Sequence, residues 1–343
     1  MSSVIEHRSA TPAAPWHIGT VPVTGRVLLA PMAGITDAPF RDIAGSFGAP
    51  YCVSEMIASA ALADGDSNMW RKARAGRGVP NVIQLAGWDP VWMAHGAQLA
   101  EDTGADIIDI NLGCPNKRVT NRLAGSALME DPDAALRLIE AVVEAVSVPV
   151  TVKMRLGWSK TGRNAPEIAR AATGAGVSMI AVHGRTRCQY YKGSADWDAV
   201  AEVVDAVNVP VVVNGDIQSL EDCRDALRRS GAFAVMVGRG AQGRPWVIGQ
   251  WSATLEGRDT PPAPGRHEVS LLLRRHVEQC LEHYGHELGR RVARKHLAWT
   301  FDRLWPGLRA SAEGRALLTT DDLSVLWIGL ARLGDDAFAR EAA

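Results

Sequence analysis

The sequence predicts a (β/α)8 TIM barrel followed by a small all-helical C-terminal domain. Three observations carry this. Eight short apolar runs recur along the chain, segments of helical period separate most of them, and the texture changes after Gly249. With 343 residues, 47% of them apolar, the chain is too long for one ordinary domain. It suits a barrel of roughly 250 residues plus a smaller unit.

The runs are RVLLAPM from Arg26, PYCVSE from Pro50, NVIQLAG from Asn81, DIIDINLG from Asp106, PVTVKMRLG from Pro149, VSMIAVHGR from Val177, PVVVNGD from Pro210 and FAVMVGRG from Phe233. Each is mostly β-branched or apolar without clean alternation, as expected of parallel strands buried on both faces. Between them, Asp131 to Val146 and Ser194 to Val207 read as helices. The first opens with an Asp cap and Pro at the first helical position. An open doubly wound sheet is the alternative. Eight units, and no G-x-G-x-x-G after the first strand, favour the barrel. The expected division is a barrel over residues 1–255, a Pro/Gly-rich linker over 256–266 and a helical domain over 267–343. The last holds three amphipathic stretches, from His267, Glu287 and Asp322.

Net charge is −1, so any nucleic-acid binding must rest on a local basic patch. Five cysteines, at 52, 114, 188, 223 and 280, show no C-x-x-C spacing. No metal site or disulfide framework is expected, and the thiols read as reduced. No stretch reads as a signal peptide or membrane span. The expectation is a cytoplasmic monomer with no membrane partner.

In a barrel the active site lies at the C-terminal ends of the strands, and those ends are polar here. The first ends in Pro31, Met32 and Ala33. The third carries Gln84, the fourth Asn111 and Cys114, and the fifth Lys153 and Arg155. The sixth ends in His183, the seventh in Asn214, Gly215 and Asp216, and the eighth in Gly238 and Arg239. Barrels often bind phosphate after strands seven and eight, through small residues and free backbone N–H groups. Turn-making alone would explain each glycine separately. Together with Lys153 and His183 they point to a phosphate-bearing cofactor. Lys153, inside the apolar TVKMRL, is poorly explained by reaching for solvent. His183 has a bland alternative as a satisfied core residue, and Gln84 as a backbone partner inside the barrel.

Cys114 sits in INLGCPNKRVTNRLAG, at the exit of a buried run and before a basic loop with Lys117, Arg118 and Arg122. An inert core thiol would not stand between Gly113 and Pro115. A nucleophile would want a histidine base, and His183 lies two strands away. A general acid needs only to hold its proton near neutral pH, which an ordinary thiol does.

The motifs APMAGITDAPFR, INLGCPNKRV, LAGSALM, VKMRLGW, HGRTR, NGDI and VMVGRGAQGRPW, with ARKHLAW in the tail, resemble in order and spacing the tRNA-dihydrouridine synthases. The likeness is greatest to the bacterial B branch and runs from Val27 into the tail. It implies an FMN enzyme that reduces the C5=C6 bond of uridines in tRNA, in the D-loop, with NADPH as reductant. It implies that Pro31, Met32, Ala33, Gln84, Lys153, His183, Asn214, Gly215, Asp216, Gly238 and Arg239 hold FMN. Cys114 would protonate C5, Asn111 would hold the uracil, and Tyr191 or its neighbour Tyr190 would pack on it. Thr300 stands where relatives often carry an aromatic. The competing reading is a flavin barrel acting on a free pyrimidine such as dihydroorotate. The tail argues against that, because a free base does not need it. Its basic cluster, with Arg291, Arg294 and Lys295, is the expected tRNA contact. The pairs 290/294 and 291/295 are like charges at i, i+4, unfavourable unless an anion compensates.

Overall fold

A short antiparallel hairpin, β1 (Trp16–Ile18) and β2 (Val21–Val23), comes first in the computed structural model, which describes residues 15–121 and 123–335. The eight apolar runs follow as staves of one parallel sheet. They are β3 (Val27–Leu29), β4 (Cys52–Val53) continued by β5 (Ile57–Ala58), β6 (Asn81–Ala86), β7 (Ile107–Leu112), β8 (Val150–Arg155), β9 (Met179–His183), β10 (Val211–Asn214) and β11 (Ala234–Val237). Each pairs with its successor, and β11 pairs with β3, so the sheet closes on itself.

Alternation inside the runs divides two cores. Outward residues such as Leu29, Ile83, Ile108, Ile110, Val152 and Val235 pack under the surrounding helices. Inward residues Leu28, Val53, Val82, Ile107, Met179, Val212 and Ala234 fill the lower barrel with Ile18 and Val23 of the hairpin. The hairpin, absent from the sequence expectation, therefore plugs the floor. Higher up, the inward positions turn polar: Ile107 is followed at every second residue by Asp109 and Asn111, and Thr151 by Lys153 and Arg155.

Most helices form where the periodicity places them. The helix of α1 (Ala38–Ser46) is capped by Asp37, which accepts from Phe40 N at 3.0 Å. The helix predicted from Asp131 spans Pro132–Ala145, with Asp131 accepting from Ala134 N at 2.9 Å. The Ser194–Val207 segment is less regular than expected: a 3-10 turn (Asp198–Val200) leads into one short helix (Ala201–Val204).

Beyond the barrel, the tail forms α2 (Arg266–Tyr284), α3 (His286–Leu304), α4 (Ala312–Thr319) and α5 (Leu323–Leu333). The sequence did not mark α4. Tyr284 Oη donates to Asp37 Oδ2 at 2.9 Å, and the Lys295 ammonium donates to the Gly34 carbonyl, so the tail docks beside the barrel mouth. His276 and His296 pack around Phe40, their ring centroids 4.5 Å apart, and lie with Asp37 within a 4.8 Å cluster. Two carboxylates, Asp37 and Glu55, already face two cations, Arg41 and Lys295, in this neighbourhood. Burial, then the charge of Lys295, pushes His276 down to about 3. Burial, then His276 and Lys295, likewise holds His296 well below its ordinary range, so both rings are neutral packing groups at neutral pH. Gly243 permits the close approach of α3, since a Cβ there would lie 2.4 Å from the Trp299 carbonyl oxygen. Thr300 is buried and returns its hydroxyl to the His296 carbonyl at 2.9 Å, the local bond a threonine makes inside a helix. Among the described residues, no helix is long and apolar enough to cross a membrane.

Candidate active site

The barrel opens at the C-terminal ends of its strands into a cavity of about 560 Å³. Every residue expected at the cofactor lines it, from Pro31 to Arg239, as do Asn111, Cys114, Tyr190 and Tyr191. Strand register brings them together: Gln84 pairs with Asp109, Asp109 with Thr151, Asn111 with Lys153, and Asn214 with His183.

Lys153 donates to Asn214 Oδ1 at 3.1 Å, and Asn214 Nδ2 donates to the Met236 carbonyl at 2.7 Å. Asn214 is thus a bracket for the lysine. Burial, and then the nearby Arg155, push Lys153 down to about 8, so it keeps most of its charge at neutral pH. His183 is held well below its ordinary range, first by burial and then by Lys153, Arg155, Arg185 and Arg239. Its neutral ring places Nε2 3.4 Å from Arg185 Nη1.

Asp216 has a role the sequence did not reveal. Its carboxylate takes Arg185 in two bonds, 2.8 and 2.6 Å, and accepts from Ala195 N at 2.8 Å. What Asp216 offers the cavity is therefore backbone. Arg239 is more than half exposed, and its guanidinium lies 3.9 Å from Asp216 Oδ1 and over the Tyr191 ring.

Cys114 is half-buried at the lip. Asn111 Oδ1 accepts from Gly113 N at 3.1 Å and from Cys114 N at 2.9 Å. The Cys114 carbonyl accepts from Ser126 N at 3.1 Å and Ser126 Oγ at 2.8 Å. Gly125, at φ +61°, closes this turn, and a Cβ there would press on the Cys114 carbonyl at 3.0 Å. Asn111, expected to hold the substrate, thus spends its oxygen on the cysteine's backbone and keeps one amide N–H free. Arg155 ties the opposite wall to this one. It donates to the carbonyls of Gly113 (2.7 Å), Thr186 and Tyr190 (both 2.9 Å), and lies over the Tyr191 ring. Arg122 and the side chain of Arg118 lie outside the described residues.

The tail cluster divides. Arg290 and Arg294 share Asp321, at 2.6 and 2.9 Å, and Arg294 also bonds the carbonyls of Thr319 and Thr320 that end α4. The anion that the 290/294 pair requires comes from within the chain. Arg291 is exposed, and Lys295 reaches the mouth at Gly34.

Three contributors escaped sequence reasoning: Asp109, Arg185 and the bracing role of Arg155. For Asp109 the signal was present, a carboxylate in the middle of the apolar DIIDINLG. It is the same signal that marked Lys153.

A closed parallel barrel with polar groups converging on one mouth is the architecture of a barrel enzyme. A solved structure described as 2-naphthoyl-CoA reductase with 2-naphthoyl-CoA matches at TM-score 0.55 and 13% identity, over 72% of this chain and 52% of that one, a likeness of fold. The family model described as dihydrouridine synthase matches residues 28–320. A probable tRNA-dihydrouridine synthase of Rhodobacter capsulatus is 54% identical over 286 residues, 83% of this chain and 88% of its own length. One of Rhizobium leguminosarum bv. phaseoli is 47% identical, covering 88% and 92%. A tRNA-dihydrouridine synthase B of Xanthomonas axonopodis pv. citri is 46% identical, covering 82% and 85%. This chain belongs to the dihydrouridine synthase family, whose members are flavin-dependent oxidoreductases.

The mouth fits a flavin. Its volume lies within the roughly 300–1,000 Å³ of cofactor sites. Lys153 uses one of its three N–H bonds on Asn214, and Arg239 stands at the rim with its charge accessible. Gly238, only half-buried, has nothing nearer than 3.6 Å to where a Cβ would stand, which leaves backbone open at one of the two strand ends where phosphate is expected, and Gly215 lines the cavity at the other.

Proposed function

We propose that this protein reduces the C5=C6 bond of specific uridines in tRNA, in the D-loop, to 5,6-dihydrouridine, with FMN as its flavin, NADPH as reductant and Cys114 as proton donor to C5. The observation that carries the reading is the placement of Cys114, braced through both its N–H and its carbonyl at the lip of the flavin-type mouth. Bound reduced flavin supplies the hydride that C6 accepts.

The residues divide the remaining work. Lys153, bracketed by Asn214, offsets negative charge on the group held below the lip. The backbone around Gly215 and Gly238, with Arg239, takes the phosphate. Pro31, Met32, Ala33, Gln84 and His183 complete the walls. As C6 is reduced, negative charge builds at C5 and on the neighbouring carbonyl. The Cys114 S–H bond breaks, its proton goes to C5, and the thiolate regains a proton from solvent. The free amide N–H of Asn111 faces the uracil, and Tyr191 packs on it.

The C-terminal tail, residues 267–343, of which 336–343 lie outside the described residues, is the tRNA-binding domain in this reading. Lys295, Trp299 and Arg303 recur at every fourth position of α3, which puts them on one face. Lys295 bonds the Gly34 carbonyl, and Arg303 lies 3.5 Å from Gln218 at the edge of the mouth. This stripe and exposed Arg291 would meet phosphates, while Arg294 holds α4 in place. A tRNA substrate fits a cytoplasmic location.

The test follows flavin reoxidation by unmodified tRNA after rapid mixing. Cys114→Ala is expected to bind flavin, to be reduced by NADPH and to bind tRNA, yet to reoxidise roughly 10²–10⁴-fold more slowly. Reoxidation within about threefold of wild type, a barrier change under roughly 0.7 kcal/mol, would refute the assignment. Free uridine is expected to be a poor oxidant. Efficient turnover of it would favour a free-pyrimidine reductase.

A further inference from the structure

Four polar side chains link the buried interior of the barrel to the backbone of Cys114. Thr151 Oγ1 donates to Asp109 Oδ1 at 2.6 Å, and Gln84 Nε2 donates to Asp109 Oδ2 at 2.7 Å. Asn111 Nδ2 donates to Gln84 Oε1 at 2.7 Å, and Asn111 Oδ1 accepts from the N–H groups of Gly113 and Cys114. Thr151, Asp109 and Gln84 are 0–1% exposed and Asn111 8%, so water does not substitute readily for a lost partner.

The polarity of this chain is fixed from both ends. A backbone N–H can only donate, so Asn111 must present its oxygen to Cys114 and its NH2 to Gln84. Gln84 must then show its oxygen to Asn111 and its NH2 to Asp109. An ionised carboxylate can only accept, which is what this last position requires. We propose that Asp109 is a positioning residue whose carboxylate locks the amide orientation of Gln84, and through Gln84 and Asn111 fixes the backbone that carries Cys114. Burial raises the Asp109 carboxyl to about 6, with Thr151, Gln84 and Lys153 acting in the opposite direction, so the group is mostly ionised at neutral pH. The relay also decides what Gln84 keeps for a cofactor: one amide N–H and one of the two lone pairs on its oxygen. The role deepens the proposed function by saying why the donor at the lip is held in place, and it rests on that reading for its importance to turnover.

The test needs no turnover. Labelling the full chain with 15N-cysteine gives one backbone amide signal for each of five cysteines, and the Cys114 signal is the one missing in Cys114→Ala. Asp109→Leu is expected to displace the Cys114 signal by more than its linewidth, or to broaden it away. The signals of Cys188, Cys223 and Cys280 should stay. Asp109→Asn is expected to leave Cys114 in place, because its oxygen can accept from Gln84 while its NH2 faces the Thr151 hydroxyl. In rapid mixing, Asp109→Leu should slow reoxidation by up to roughly 10²-fold at unchanged tRNA affinity, and Asp109→Asn should restore most of it. If Asp109→Leu does not fold, the double variant Gln84→Leu, Asp109→Leu removes donor and acceptor together, which is tolerated better. Asn111 still loses its partner there, so the Cys114 signal should still move. A folded Asp109→Leu or double variant with the Cys114 signal unmoved overturns the proposal. So does Asp109→Asn moving it as far as Asp109→Leu. If instead Cys114→Ala keeps normal reoxidation, the proton-donor reading fails while the amide signals still decide the positioning.

Discussion

Replacing Asp216 separates three energies that meet at one residue. Asp216→Ala removes the carboxylate that grips Arg185 in two bonds of 2.8 and 2.6 Å. The Arg185 side chain is 2% exposed and keeps the carbonyls of Lys192 and Gly193 and the His183 Nε2 contact at 3.4 Å, while Ala195 N loses its acceptor. Breaking one side of a fully buried pair costs roughly 3–5 kcal/mol. The Asp216 side chain is 31% exposed, so water replaces part of the loss and about 2–3 kcal/mol remains. Asp216 also lies at φ +55°, where alanine costs about 1 kcal/mol and asparagine much less. Asp216→Ala is thus expected to lose about 3–4 kcal/mol, and Asp216→Asn, which keeps one acceptor and tolerates the backbone, about 1–2 kcal/mol. The assay is urea unfolding followed by tryptophan fluorescence, with and without saturating flavin, so that lost ligand binding is not counted as lost folding. Burial opposes ionisation of Asp216, but the bonds from Arg185 and Ala195 and the charges of Arg185 and Arg239 outweigh it and hold the carboxyl below its ordinary 3.8. The stabilisation is therefore present above pH 3.8 and is lost as pH falls from there toward the folded value. The gap between wild type and Asp216→Asn should narrow in that window. Equal midpoints for the two variants, or a loss under about 1 kcal/mol for alanine, would refute the reasoning.

Arg155→Lys keeps a charge but cannot serve the carbonyls of Gly113, Thr186 and Tyr190 together. It should cost about 2–4 kcal/mol in urea unfolding and speed limited proteolysis around the Cys114 loop. An unchanged midpoint would count against the bracing role. His276, held down to about 3, stays neutral in the folded chain while the unfolded chain protonates below its ordinary 6.5. Its contribution is present above pH 6.5 and is lost as pH falls from there toward about 3. Unfolding midpoints at descending pH should fall less steeply in His276→Gln, by up to about 1.4 kcal/mol per pH unit, and parallel curves would contradict this. Lys295→Gln with Arg303→Gln should weaken tRNA binding and lower its salt slope by nearly 1 per charge. Arg294→Gln should lower stability and leave that slope alone, and the opposite pattern would move the interface back to Arg294.

The barrel was legible because its cause is local. Runs such as PVTVKMRLG and PVVVNGD carry strand propensity and terminate in turns, and the polar residues inside them, Gln84, Lys153 and Asn214, stand out against an apolar background. Asp109 gave the same sign. The helix from Pro132 was equally plain, with its cap and proline. What the chain could not reveal by itself is which polar atoms spend one another. Gln84, Asp109 and Thr151 come from three strands, and only register sets them side by side. Asp216 was recognisable as part of a turn, but its partner Arg185 arrives from the end of β9. In the tail, charge alone made 290, 291, 294 and 295 look equivalent. Packing of α4 against α3 draws Arg290 and Arg294 to Asp321, and docking of α3 at the mouth leaves Lys295 at its edge. Sequence therefore determined which residues reach the mouth, through periodicity and strand ends. Tertiary structure decided which of them remain available there, because a hydrogen-bonding atom already held by a neighbour in a buried site has little left to offer a ligand.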